Sequence, residues 1–190
     1  MRRSQWIVVG LLAFTATLAL LFKPWVSDEP LIGGPFKLVD GSGAEVTDAD
    51  YRGKFRLVYF GYTFCPDVCL TALGELSVAL DRLPQAKLNQ LEALFISVDP
   101  DRDNGENLTN YAQAFHPKIR GLTGTLDQID AVAQAYGARY ELAGDKTGGD
   151  YSIDHTSIIY VMGPEGKFRT KFTHNTSPET MFARLDSVIP

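Results

Sequence analysis

Arg56-Leu57-Val58-Tyr59-Phe60-Gly61-Tyr62-Thr63-Phe64-Cys65-Pro66-Asp67-Val68-Cys69 is the stretch on which the fold turns. Arg56 to Phe60 reads as a strand buried on both faces, because its apolar run shows little alternation. From Asp67 onward the period changes to that of a helix, with Cys69, Leu73, Leu76, Leu80 and Leu83 along one stripe and Pro84 as the stop. Cys65 and Cys69, the only cysteines, therefore stand where a strand hands over to a helix. First-turn N–H groups and the helix dipole favour a thiolate there, and a spacing of four places both thiols on one face. Such a pair can close a disulfide, chelate a soft metal such as copper(I) or zinc, or serve as core cysteines.

Outward from this junction the elements alternate. Phe36 to Val39 and Val46, around Asp40-Gly41-Ser42-Gly43, form a hairpin. Leu91 to Val98 is a second buried strand, and Asn104 caps a helix whose stripe is Leu108, Tyr111, Ala112 and Phe115. Thr125 and Gln128 have capping-box spacing, ahead of Ile129, Val132, Ala133 and Tyr136. Ser157 to Met162 and Lys167 to Thr173 are strands joined at Gly163-Pro164-Glu165-Gly166, and Ser177-Pro178 opens a last helix. The order strand, helix, strand, helix, helix, two hairpin-linked strands, helix predicts a three-layer α/β domain. A strand running directly into paired cysteines at a helix start makes it thioredoxin-like.

The N-terminus is of another kind. Trp6 to Phe22 carries no charge, follows Arg2 and Arg3, and is closed by Lys23-Pro24-Trp25. Its length is near the lower limit for crossing a bilayer, and the flanking charges keep the first residues in the cytoplasm. Leu20-Leu21-Phe22-Lys23-Pro24 offers no small-x-small cleavage site, which favours an uncleaved transmembrane helix over a signal peptide. The expected organisation is a cytoplasmic tip at 1–5, an anchor at 6–22, a Pro/Gly tether at 23–35 and the α/β domain at 36–190. Without Arg2, Arg3 and Lys23 the exported part holds 15 basic against 23 acidic residues, which disfavours nucleic acid and suits a basic or metal-carrying partner.

Polar clusters remain to be placed. Asp99-Pro100-Asp101-Arg102-Asp103-Asn104-Gly105 has its glycine at position seven and Asn110 at position twelve, so it fails as a calcium loop. It reads as a solvated strand-to-helix loop with Asp99 near the site end of the sheet. His116 lies at a helix end and His174 after a strand. His155, in Asp154-His155-Thr156, enters a buried strand from a polar, glycine-rich stretch. If that strand runs antiparallel to Arg56–Phe60, His155 comes beside the cysteines; if parallel, it is remote, and a hydrogen bond to Asp154 accounts for it.

Cys65-Pro66-Asp67-Val68-Cys69, the preceding Tyr59-Phe60-Gly61-Tyr62-Thr63, the segment Phe95 to Asp103 and Asp154-His155-Thr156-Ser157 together resemble the Sco/SenC family. Its members are membrane-tethered, thioredoxin-like copper chaperones for the copper A centre of cytochrome c oxidase. The resemblance covers roughly residues 35–190. It implies Cys65, Cys69 and His155 as copper ligands and the copper-carrying oxidase subunit as acceptor, with an upstream copper donor and a thiol reductant as further partners. It also implies a bacterial inner-membrane location with the domain in the periplasm. Leu70 stands where the family usually has proline, which puts partner preference in doubt. Tyr62, Phe64 and Pro66 are expected to shield one side of the metal. The rival readings are a membrane-anchored thiol-disulfide oxidoreductase, in which Cys65 attacks and Cys69 resolves, and a thiol peroxidase, against which Tyr62 stands three residues before Cys65 in place of threonine.

Overall fold

The computed structural model describes residues 32–145 and 151–190. Nine strands occur among them: β1 (Lys37–Asp40), β2 (Glu45–Thr47), β3 (Phe55–Gly61), β4 (Leu91–Ser97), β5 (Ile119–Thr123), β6 (Tyr140–Ala143), β7 (Ser152–His155), β8 (Ile158–Met162) and β9 (Phe168–Thr173). The helices are α1 (Val68–Asp81), α2 (Gln85–Leu88), α3 (Gly105–Phe115), α4 (Leu126–Tyr136) and α5 (Pro178–Val188). Seven strands form one sheet in the order β2-β1-β5-β4-β3-β8-β9, while β6 and β7 form a separate ribbon.

At the centre, β3 pairs in parallel with β4 and antiparallel with β8, and every residue of β3 and β4 is buried. Coverage on both faces follows from β3's alternation: Tyr59 turns toward α1, its hydroxyl 3.4 Å from the Val68 carbonyl. Phe60 turns the other way, edge-on to Tyr136 of α4 at 5.6 Å. α1 also packs against α5 and α3, so one face carries three helices and the other carries α4. This is the three-layer thioredoxin-like arrangement.

The caps behave as their residues dictate. Thr125 Oγ1 accepts from Gln128 N–H at 3.3 Å, Ser177 Oγ accepts from Thr180 N–H at 3.3 Å, and Gly137 ends α4 at φ 64°.

Two parts of the sheet system differ from expectation. β5 fills the place between β4 and β1, and it needs Gly121 because a Cβ there would lie 2.8 Å from the Leu108 carbonyl of α3. The polar stretch before β8 contributes β7, which pairs with β6 as a ribbon that sets Tyr140 opposite His155. Among the described residues no helix is long and apolar enough to cross a membrane, and the anchor expected at 6–22 lies outside them.

Leu76 of α1 is fully buried in the core. Leu76→Ala should cost about 2–5 kcal/mol in a urea unfolding curve. A loss under about 1 kcal/mol would show that the helix is not closely packed on the sheet.

Candidate metal centre

Gly61 ends β3 without a side chain, and that vacancy is what admits the second thiol. A Cβ at Gly61 would stand 2.6 Å from Cys69 Sγ and 2.9 Å from the Phe95 ring. Cys65 precedes α1 and Cys69 is its second residue, so the junction expected from the sequence is the observed one. Both thiols are free and buried.

Because β8 is antiparallel to β3, the chain just before β8 returns to the same end of the sheet. His155 Nε2 lies 3.3 Å from Cys69 Sγ and 3.7 Å from Cys65 Sγ. All three donor atoms lie within 4.8 Å of one another. Bonds of about 2.3 Å to sulfur and 2.0–2.1 Å to nitrogen let one first-row ion reach three donors so spaced. The ring stands edge-on to Tyr59 at 6.0 Å and to Tyr62 at 5.9 Å, and its Nδ1 faces the Thr156 carbonyl at 3.4 Å. These contacts, not a hydrogen bond to Asp154, fix its orientation. His116 and His174 stand apart from the cluster: His116 Nδ1 accepts from Lys118 N–H, and His174 follows β9.

The two thiols are electrostatically unequal. Cys69 donates to Cys65, which brings the Cys65 thiol down to about 4 against the opposing effect of burial, with His155 and backbone N–H groups adding to the depression. That same donation, together with burial, pushes the Cys69 thiol far up. The pair thus shares one proton, held on Cys69. Burial also raises Tyr59, whose neutral hydroxyl sits 3.9 Å from Cys69 Sγ.

The loop Asp99–Asp103 corrects the sequence reading. Only part of it is solvated: Asp101 is exposed, but Asp99 and Asp103 are buried. The Asp103 carboxylate accepts from Thr63 N–H at 2.7 Å, from the Thr63 hydroxyl and from Ser97 Oγ at 2.6 Å, so it clamps the loop leading to Cys65. Asp99 accepts from Tyr151 OH at 2.6 Å and from Arg102 Nε at 2.5 Å. Arg102 lies over the Tyr151 ring at 3.5 Å and the Phe64 ring at 4.7 Å, and donates to the Tyr151 carbonyl at 3.0 Å. Tyr62 OH accepts from Ile153 N–H at 3.2 Å. One loop therefore joins the cysteine segment to the ribbon that carries His155. Of the three expected shielding residues only Tyr62 is buried; Phe64, 58% exposed, and Pro66 face outward. Leu70, 45% exposed, faces outward on the first turn of α1.

Two soft sulfurs and an imidazole, brought together at the end of a thioredoxin-like sheet, define a thiolate-based metal-binding domain. The SCO1/SenC family profile matches residues 26–190, and the chain belongs to that family. The human protein SCO1 homolog, mitochondrial, is 44% identical over 148 residues, which is 77% of this chain and 49% of that protein. The chain spans about half the length of the curated relatives it matches. Copper-bound ScoI of Bradyrhizobium japonicum superposes with TM-score 0.74 at 41% identity, over 82% of this chain and 98% of that one. Copper-bound yeast Sco1 gives TM-score 0.77 at 37% identity, over 84% and 89%.

Two outcomes follow from this geometry. At neutral pH iodoacetamide should label Cys65 well before Cys69, read by peptide mass spectrometry, because only the former is held as thiolate; equal rates would contradict the shared proton. Burial holds Asp103 above its usual 3.8, more than its hydrogen bonds lower it. The folded state then keeps this proton to higher pH than the unfolded chain, so its contribution is complete below the unfolded value and declines as pH rises through the folded one. The stability deficit of Asp103→Asn against wild type should accordingly shrink as pH rises from about 4 in chemical denaturation, and a deficit that widens would reverse the assignment.

Proposed function

We propose that the protein is a membrane-tethered copper chaperone that holds copper through Cys65, Cys69 and His155 and passes it to the copper A centre of cytochrome c oxidase during assembly. The observation that carries this reading is the convergence of two sulfurs and an imidazole nitrogen within 4.8 Å. The copper-bound relatives support the choice of metal. Family membership supports the acceptor. In this reading residues 6–22 are the uncleaved anchor, 1–5 face the cytoplasm, 23–35 form the tether, and 36–190 work in the periplasm at the bacterial inner membrane.

Copper is the cargo. Binding requires loss of the thiol protons: the Cys65 thiol, brought down by donation from Cys69, gives up its proton the more readily, and the proton on Cys69 leaves as the second sulfur engages the ion. Two thiolates satisfy copper(I), while the imidazole supplies the nitrogen that copper(II) favours. Three protein ligands leave the ion open to an incoming thiolate or imidazole of the acceptor. Transfer then proceeds by ligand exchange, one protein bond breaking for each acceptor bond formed, with no change of oxidation state. Phe64 and Leu70, exposed beside the cysteines, offer the acceptor an apolar contact at the mouth. Thiol-disulfide exchange would use the two cysteines and leave the placement of His155 between Tyr59 and Tyr62 without a role.

Reduced protein should bind one copper(I) against a competing chelator, and the Cys65–Cys69 disulfide form should lose it on gel filtration, since both sulfurs are consumed. His155→Ala should keep copper(I) but lose the copper(II) signal in electron paramagnetic resonance. Unchanged copper(II) spectra in the folded variant would eliminate the imidazole ligand. Fractionation with N-terminal sequencing should find the intact N-terminus in membranes, whereas a soluble form beginning after residue 23 would remove the anchor.

A further inference from the structure

The ladder of the β6–β7 ribbon breaks one step beyond His155, and a side chain makes the break. β6 begins at Tyr140 and β7 ends at His155, and these two residues face each other. At the next step Thr156 N–H donates to the Arg139 carbonyl at 2.9 Å, one half of the exchange that a hydrogen-bonded antiparallel pair makes. The other half would run from Arg139 N–H to the Thr156 carbonyl. Instead, Arg139 N–H donates to Thr156 Oγ1 at 2.9 Å, and that hydroxyl donates in turn to the Arg139 carbonyl at 3.2 Å. A hydroxyl can do both because it carries one donor and two lone pairs.

The substitution leaves the Thr156 carbonyl out of the ladder, and it faces His155 Nδ1 at 3.4 Å. A carbonyl only accepts, so this contact is favourable when the imidazole proton sits on Nδ1. Nε2 is then the unprotonated nitrogen, and it is the one that stands 3.3 Å from Cys69 Sγ and 3.7 Å from Cys65 Sγ. Tyr59 and Tyr62, edge-on to the ring at 6.0 Å and 5.9 Å, constrain its plane, but aromatic contacts of this kind select no tautomer. The carbonyl does.

We propose that Thr156 is a positioning residue for the imidazole ligand: its hydroxyl takes the place of its own carbonyl in the ladder, and the carbonyl so released holds His155 with its proton on Nδ1 and Nε2 turned to the sulfurs. This role rests on His155 being the copper ligand proposed above. A ligand already held in its binding tautomer meets the ion without rearrangement. Copper(II), which favours nitrogen, depends on that most, whereas copper(I) keeps its two thiolates.

The test uses the reduced, isotope-labelled full-length chain in detergent micelles. Without metal, at a pH where the imidazole is neutral, ring-nitrogen NMR of His155 should place the proton on Nδ1 in wild type and in Thr156→Ser. Thr156→Val keeps the branched shape at this half-buried position but lets Arg139 N–H reclaim the carbonyl, so the preference for Nδ1 should be lost. Against a competing chelator Thr156→Val should bind copper(II) about 10–100-fold more weakly, with copper(I) affinity nearly unchanged, and Thr156→Ser should restore the copper(II) affinity. A merely structural role would lower the melting temperature and both copper affinities together, and that outcome overturns the proposal. A wild-type ring carrying its proton on Nε2 also overturns it, and this measurement needs no variant to fold. If His155→Ala binds copper(II) as tightly as wild type, the function proposed above fails, and the ring-nitrogen signals of the metal-free protein still decide whether Thr156 orients the imidazole.

Discussion

A single buried carboxylate, Asp103, holds the metal centre in register. It gathers the Thr63 N–H, the Thr63 hydroxyl and Ser97 Oγ, so the segment between β3 and α1 is bound to the end of β4 before either cysteine is considered. A carboxylate buried at this cost is retained only where its hydrogen bonds compensate, and here they fix the approach of Cys65 to α1. The neighbouring residues extend the same clamp. Asp99 and Arg102 engage Tyr151, and Tyr62 engages Ile153, so the β6–β7 ribbon is joined to the cysteine loop through side chains. The imidazole and the thiolates thus come from elements that share no backbone ladder, yet meet at one point.

In the proposed chaperone this division would matter, because the bound ion has to leave. Copper held by a closed set of ligands on one rigid element would exchange slowly. Here the sulfurs stand at the sheet end and the nitrogen on a ribbon, with Phe64 and Pro66 exposed. Gly61 sets the other limit: its missing side chain lets Cys69 Sγ lie against the sheet, while Cys65 is the slightly less buried of the two and has its thiol brought down by Cys69.

Much of this was legible in the residues. β3, β4 and α1 follow from long apolar runs and a change of period, and the caps at Thr125 and Ser177 from their spacing. The cysteine pair was placed at its junction by the same signals, and the antiparallel alternative for His155 is the one observed. β5 escaped because Arg120, Gly121 and Thr123 interrupt its apolar pattern; Gly121 is there for the approach of Leu108, a tertiary demand with no local signature. The ribbon escaped because Tyr140-Glu141-Leu142-Ala143 and Ser152-Ile153-Asp154-His155 are short, largely polar strands whose pairing is set across a loop. The roles of Asp99 and Asp103 were hidden by their company, since four charges in five residues read as solvent-facing until the fold supplies Tyr151, Thr63 and Ser97.

X-ray absorption at the copper edge of the reduced, copper(I)-loaded full-length chain tests the central claim most directly. The account predicts two sulfur scatterers and one imidazole nitrogen in the first shell, with the nitrogen shell lost in His155→Ala and the sulfurs retained. A first shell of oxygen and nitrogen alone, or a nitrogen shell that survives the substitution in a folded protein, would contradict a centre built from Cys65, Cys69 and His155.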